Sequence, residues 1–385
     1  MEALDFLSLS QAFTPEQKQI RESVAAFLKK EAKPLIQKNY RSESFPEELI
    51  PAMGRMGLLG SNLKTHGLPA MDAIAYGLLM KELERVDSGL RSFASVQGSL
   101  VMYPIAEFGS EEQKDKWLPA LGRGELIGCF GLTESEGGSD PGAMKTRAED
   151  KSDHYLLNGS KMWITNGTLA DVAVVWAKLD GKIRGFIVDS TLPGFTARKM
   201  EGKLSLKASD TGELYFDNVK LPKNALLPKS EGLKSALMCL SQARYGIAWG
   251  VLGAAEACLE EAIKFTQNRK LFGKSLAAFQ LPQRKMAIMA SRITQGQLLA
   301  YRLGQLKDEG KIRPAQISMA KQANVETALE VARMARDILG ANGIMDEYQT
   351  MRHLCNLESV YTYEGTNDIH LLIVGKELTG VSAIE

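Results

Sequence analysis

Near the end of this 385-residue chain, the segment YTYEGTNDIH sets Glu364 between an aromatic residue and a glycine. Gly365 has no side chain to keep a ligand off the backbone beside Glu364, and burial under Tyr363 would lift the carboxylate from its ordinary value of about 4.3 toward neutral pH. These are the requirements of a general base. The competing reading is a glutamate in an exposed turn, the commoner fate of any single Glu.

Four other segments carry groups suited to a flat, phosphate-bearing ligand. Gly131 to Ala143, GLTESEGGSDPGA, gathers four glycines with Thr133, Ser135 and Ser139, so backbone amides and hydroxyls could approach a ring or a phosphate closely. A plain loop has the same composition. In KMWITNG, strand alternation places Trp163 and Thr165 on one face, a wide aromatic plane beside a hydroxyl, with a buried core Trp as the alternative. In NRKLFGK, Arg269 precedes Phe272 by one helical turn, so a guanidinium fork and a ring could project together toward a diphosphate, or simply edge a solvated surface. ILGANGIMDE, Ile338 to Glu347, is either a helix C-cap or a set of backbone amides presented to a nucleotide.

The elements that must position these residues fall into three textures. From Thr14 to about Glu125 the pattern is helical: TPEQ supplies a capping Thr and a Pro at the first helical position. AIAYGLLMKELERVDSG then makes an apolar stripe of Ala75, Leu79, Leu83 and Val86, with Ser88-Gly89 as its stop. From about Leu126 to Pro228, Asn158-Gly159 and Asp180-Gly181 read as hairpin turns between alternating apolar runs, which predicts an antiparallel β domain. Beyond it, three long amphipathic stretches with short links predict an antiparallel helical bundle. The expected class is α+β in three units: a helical domain over 1–125, a β domain over 126–230 and a four-helix bundle domain over 231–385.

Composition narrows the chemistry. Lys plus Arg number 47 against 46 Asp plus Glu, which leaves no basic excess to follow nucleic acid. No apolar run reaches the roughly 20 residues of a membrane span, and no signal peptide is evident. Cys129, Cys239, Cys258 and Cys355 lie far apart with no CxxC pair, as suits reduced thiols, so a cytoplasmic protein is expected. His66, His154, His353 and His370 form no metal-ligand spacing, and the nearest pair, His353 with Cys355, reads as packing.

The order GLTESEGGSD, WITN, RKLF, DILGANG, YEGT resembles the acyl-CoA dehydrogenase family over nearly the whole chain. That resemblance implies an FAD-dependent homotetramer whose flavin lies between the β domain and the bundle and is partly held by a neighbouring subunit. Phe130, Leu132, Thr133, Ser139, Trp163, Thr165 and Thr366 would contact FAD, with Ser139 also touching CoA. Arg269, Phe272 and Gln280 would reach the diphosphate and adenosine half across the dimer, with Gly340 to Ile344, including Gly343, lining the same region. Two positions depart from the family pattern: Asp337 stands where many relatives have Gln, and Ala341 replaces a Gly.

A finer resemblance is to the glutaryl-CoA dehydrogenases within the family, carried by KELERVDSGLRSFASVQGSLVM and QARYGIAWGVLGA. It implies that Arg91 pairs with a substrate ω-carboxylate, assisted by Ser92 with Glu84 nearby, and that the segment ending at Arg244 follows the CoA. Gly365 and Tyr363 would border the acyl chain. Relatives that place the base directly before an arginine of the bundle have a carboxylate there, whereas Ala243 precedes Arg244 here, which favours Glu364. Relatives that stop at glutaconyl-CoA have Val where Tyr363 stands, so the resemblance implies oxidative decarboxylation to crotonyl-CoA, with an electron-transfer flavoprotein as acceptor, in lysine or aromatic-acid breakdown. A dehydrogenase or oxidase for another short acyl-CoA, and a non-catalytic acyl-CoA-binding protein, are the alternatives.

Overall fold

The computed structural model describes residues 4–383, so 1–3 and 384–385, the outer ends of the first and third expected units, lie outside the described residues. The first unit is helical: α1 (Pro15–Phe27), α2 (Lys33–Arg41), α3 (Ile50–Arg55), α4 (Ala73–Val86), α5 (Ser88–Ser95), α6 (Tyr103–Phe108) and α7 (Glu111–Gly122), with π-helical turns at Leu28–Ala32 and Val96–Met102. Helix α1 starts as its sequence dictates: the Thr14 hydroxyl accepts from the Gln17 N–H at 3.2 Å, the Gln17 side chain accepts from the Thr14 N–H at 3.0 Å, and Pro15 follows.

Ser88-Gly89 is not the stop of α4 but the first turn of α5. Asp87 both ends and begins: its extended backbone breaks the helix, and its carboxylate accepts from the Gly89 N–H at 2.8 Å. The same buried carboxylate accepts from Arg352 Nε and Asn356 Nδ2, each at 3.0 Å, tying this corner to the last unit.

The middle unit holds β1 (Gly128–Gly131), β2 (Arg147–Asp150), β3 (His154–Thr165), β4 (Val172–Leu179), β5 (Lys182–Asp189), β6 (Phe195–Lys199) and β7 (Thr211–Pro222). Antiparallel pairing holds for β2–β3, β3–β7, β6–β7 and β4–β5, with Asp180-Gly181 turning β4 into β5 as expected. One correction applies: β4 runs parallel to β1 and β2, because the chain returns to it only after the long β3 excursion instead of through a hairpin. Asn158-Gly159 is no hairpin either. It lies within β3 at a register shift, where a Cβ on Gly159 would sit 2.5 Å from the Thr146 hydroxyl.

The last unit comprises α8 (Gly232–Asn268), a hairpin of β8 (Lys270–Leu271) and β9 (Lys274–Ser275), then α9 (Gln280–Asp308), α10 (Pro314–Ile338), α11 (Gln349–Thr362) and α12 (Asn367–Thr379). Helix α8 is buried along most of its length. One side packs Tyr245, Ala248, Trp249 and Leu252 against Tyr76, Leu79 and Leu83 of α4, and the other packs Val251, Ala255 and Leu259 against Val325, Ala328 and Ala332 of α10. Glu256 of α8 pairs with Lys81 (2.6 Å) and Arg85 (2.9 Å) of α4, fixing the first unit on the third. All four cysteines are free thiols. Among the described residues no helix is long and apolar enough to cross a membrane, and no three His, Cys, Asp or Glu side chains gather as a metal site.

Candidate active site

Glu364 lies in the short link between α11 and α12. Tyr363 ends α11 in an extended conformation, Glu364 and Gly365 take φ of 53° and 96°, and Thr366 restarts the chain by accepting from the Ile369 N–H at 3.3 Å. Only glycine fits after Glu364: a Cβ there would lie 3.0 Å from His370 Nε2 and 3.1 Å from Arg244 Nη2, at a φ that side chains disfavour. Charged side chains hold three successive carbonyls of this turn. Lys321 Nζ of α10 donates to Tyr363 O (3.2 Å) and Gly365 O (2.9 Å), and Arg244 Nε of α8 donates to Glu364 O (2.7 Å).

The Glu364 carboxyl points into the protein, its Oε2 buried and, among the described residues, unpartnered. Burial raises its pKa, against the pull of Arg91, Arg244 and Lys321. The exposed-turn alternative therefore fails, and the group is poised to accept a proton.

Arg91 sits on α5, fully buried, so it is not the solvated arginine its place after a supposed helix stop would suggest. Its Nε donates to Glu84 Oε2 at 2.7 Å, its Nη2 donates to the Tyr363 hydroxyl, and its Nη1 is buried with no partner among the described residues. Ser92 Oγ lies 3.4 Å from the same hydroxyl. The structure thus gathers Glu84, Arg91, Ser92, Tyr363, Glu364, Gly365 and Arg244 in one place. Sequence reasoning missed Gly250 of α8, where a Cβ would stand 2.2 Å from Glu84 Oε2, and Lys321. The only signal for Lys321 was its helical spacing from Ile317, Asn324 and Ala328, which puts it on the apolar face of α10.

The Gly-rich loop adjoins this cluster. Phe130 and Leu132, at and just beyond the end of β1, share a buried apolar group with Ala236, Cys239 and Ala243, the last directly before Arg244. The loop is tethered by Lys161 of β3, buried to 1 % exposure, which donates to Leu132 O (3.0 Å) and Glu134 Oε1 (2.9 Å). Glu134 also accepts from the N–H groups of Lys145 and Thr146, at 2.6 and 3.0 Å. Burial works upward on Glu134, but its hydrogen bonds win and hold it at about 2. At Lys161 burial wins over the same pairing and pushes it to about 8.

Thr133 is half-buried, its carbonyl accepting from the Met162 N–H at 2.9 Å, and Ser139 is exposed. Trp163 is no core residue. It is 58 % exposed at φ 63°, because a bulge between Lys161 and Ile164 breaks the alternation and turns the indole outward, with Thr165 half-buried two residues on.

Arg269 and Phe272 are not on one helical turn. Helix α8 stops at Asn268, Arg269 is its cap, and Phe272, 93 % exposed, forms the tip of the β8–β9 hairpin. Gln280 opens α9 and Gly340 follows α10, at the same end of the bundle, where Lys285 of α9 pairs with Asp337 of α10. That ion pair accounts for an acid at position 337. Along α8, Arg269 lies 25 residues, about 37 Å, from Arg244.

Family models for the acyl-CoA dehydrogenase N-terminal, middle and C-terminal domains match residues 14–125, 129–219 and 230–379. The chain belongs to the acyl-CoA dehydrogenase family, and its cofactor is FAD. A crystal structure of glutaryl-CoA dehydrogenase from Mycobacterium smegmatis superposes with a TM-score of 0.98 at 50 % identity, covering 99 % of each chain. A second structure of a glutaryl-CoA dehydrogenase from that organism, in complex with FADH2, gives 0.98 at 49 % over the same share of both chains. An acyl-CoA dehydrogenase of Bacillus subtilis is 39 % identical over 374 residues, 95 % of this chain and 99 % of its own. The residues present fit FAD: an outward-turned indole stands on the sheet, and an uncovered Phe-Arg hairpin stands at the far end of the bundle.

Proposed function

We propose that this flavoenzyme is a glutaryl-CoA dehydrogenase that oxidises and decarboxylates its substrate to crotonyl-CoA and carbon dioxide. The observation that carries the reading is Arg91: a buried guanidinium beside Tyr363 and Glu364, pinned by Glu84 through Nε, its Nη1 without a partner among the described residues. A substrate ω-carboxylate is the acceptor that matches it in charge and shape.

In this reading Arg91 and Ser92 seat the ω-carboxylate, Glu364 takes the α-proton, and the Glu364 N–H donates to the thioester oxygen. FAD supplies the hydride acceptor. Protonated Glu364 then returns its proton to the carbon chain as carbon dioxide leaves. Thr133, Ser139, Trp163, Thr165 and Thr366 are assigned to FAD within one copy. Arg269, Phe272, Gln280, Gly340 and Gly343 are assigned to the cofactor of a neighbouring copy in a homotetramer, a division that the 37 Å length of helix, at about 1.5 Å per residue, supports. An electron-transfer flavoprotein is the proposed electron acceptor.

One observation favours a second reading: Glu84 already neutralises Arg91, so a short monocarboxylic acyl chain could end against a balanced pair. Product analysis with glutaryl-CoA and an artificial acceptor separates them. Crotonyl-CoA with labelled carbon dioxide supports the decarboxylating enzyme, glutaconyl-CoA refutes that half, and turnover of butyryl-CoA alone refutes both.

A further inference from the structure

Lys321 is one of the largest fully buried side chains of the protein, yet among the described residues it makes no ion pair. A buried ammonium is costly unless something nearby needs its charge. Its two partners are main-chain carbonyls, Tyr363 O at 3.2 Å and Gly365 O at 2.9 Å, one on each side of Glu364. A neutral amide could satisfy those carbonyls at lower cost. What the charge adds is an opposite sign beside a carboxylate whose Oε2 is buried and unpartnered.

We propose that Lys321 is a positioning residue of the catalytic base: its ammonium fixes the turn that carries Glu364 and adds to the positive charge against which the Glu364 carboxylate forms. The inference rests on Glu364 being the base.

Lys321 shares the electrostatic part of this work with Arg91 and Arg244, and it is the group that donates to the carbonyls on both sides of Glu364. The charged and titratable groups around the turn are Tyr76 and Glu84 on α4, Arg91 on α5, Arg244 on α8, Tyr363 at the end of α11 and His370 on α12. Arg91 is matched by Glu84. Arg244 donates Nε to the Glu364 carbonyl, between the two that Lys321 holds, and keeps its charge. His370 is neutral, pushed down to about 3 by burial and then by the charges of Lys321 and Arg244. Burial also pushes Lys321 down, to about 7, while Glu364 draws it back up. Glu364 is the carboxylate that acts on Lys321, and Lys321 is the third cation, after Arg91 and Arg244, that acts on Glu364. Both clamped carbonyls flank a residue at φ 53°, a left-handed conformation that needs support from its surroundings.

The test uses the FAD-loaded protein and three variants, Lys321→Met, Lys321→Gln and Lys321→Arg, with Glu364→Gln alongside. Stopped-flow bleaching of the flavin by glutaryl-CoA is followed against pH. Lys321→Met and Lys321→Gln should keep bound FAD and a near-unchanged KM, bleach roughly 10- to 100-fold more slowly, and show the acidic limb of the rate profile about one unit higher, since loss of a nearby positive charge raises a carboxylate pKa. Lys321→Arg should bring the limb back toward its original position. A wild-type rate and limb in Lys321→Met, a slower rate with an unmoved limb, or failure of all three variants to fold would each overturn the proposal, the last because the ammonium would then serve the fold and not the base. If Glu364→Gln is inert while Lys321→Met is unaffected, only Lys321 is wrongly assigned. Bleaching by Glu364→Gln sinks both.

Discussion

Replacing Arg91 by alanine tests the substrate assignment and the packing at once, because the two effects can be separated. Arg91 is completely buried and holds Glu84, which is equally buried, at 2.7 Å. Deleting the guanidinium alone strands Glu84, and breaking a buried pair in this way costs about 3–5 kcal/mol, so Arg91→Ala should denature well below the parent protein. The specificity effect is a different quantity. Nη1 has no protein partner, so at least one charge-assisted hydrogen bond to a substrate carboxylate is available, worth roughly 1.5–3 kcal/mol, or about 10- to 150-fold in rate. The double variant Arg91→Met/Glu84→Leu replaces both charges by apolar side chains of similar volume and recovers most of the stability while leaving the specificity loss. The measurement is kcat/KM for glutaryl-CoA and butyryl-CoA in parent, single and double variants, with thermal denaturation of each. The expected result is a fall of at least tenfold in the glutaryl-to-butyryl ratio for both variants. Equal losses on the two substrates in the double variant would refute the carboxylate clamp.

Gly250→Ala would drive a Cβ to within 2.2 Å of Glu84 Oε2, so Glu84 must move off Arg91; the same substrate ratio should change without any substrate-touching residue being replaced. Gly365→Ala forces a side chain into a left-handed φ against His370 and Arg244 and should slow flavin bleaching severely while FAD stays bound, read by absorbance before and after substrate. Glu134 is held below its unfolded value, so its contribution to stability is complete above about pH 4.3 and is lost as pH falls toward about 2. A Glu134→Gln variant should lose that part of the acid dependence in denaturation midpoints measured between pH 5 and pH 2.

What the sequence disclosed was local. Thr14 and Pro15 announce α1, Asp180-Gly181 announces a hairpin, and the spaced motifs along the chain place the helical, sheet and bundle units, because each signal is complete within a few residues. What it hid depends on partners distant in the chain. Trp163 loses its expected alternation to a bulge against β7, and Arg269 and Phe272 lose theirs to a hairpin that interrupts a helical pattern. Lys321 carries no sequence signal beyond its helical spacing, since a flexible charged side chain on an apolar face normally reaches for water. Only the turn opposite shows why it does not. The Asp87 corner was misread for the same reason: Arg352 and Asn356, some 265 residues away, fix its role.

The length of α8 has a genetic consequence. With Arg244 in the first half of the helix and Arg269 about 37 Å further on, just past its end, the proposed sharing of each cofactor makes every centre a joint product of two polypeptides. A chain carrying Glu364→Gln and a chain carrying Arg269→Ala would each be inert alone. Co-expressed in equal amounts, they would complement: mixed pairs regain one intact centre of the two, and roughly a quarter of all centres would work. Two defective alleles would then yield a partly active enzyme, and the position of each lesion along the chain would decide which pairs of alleles rescue one another.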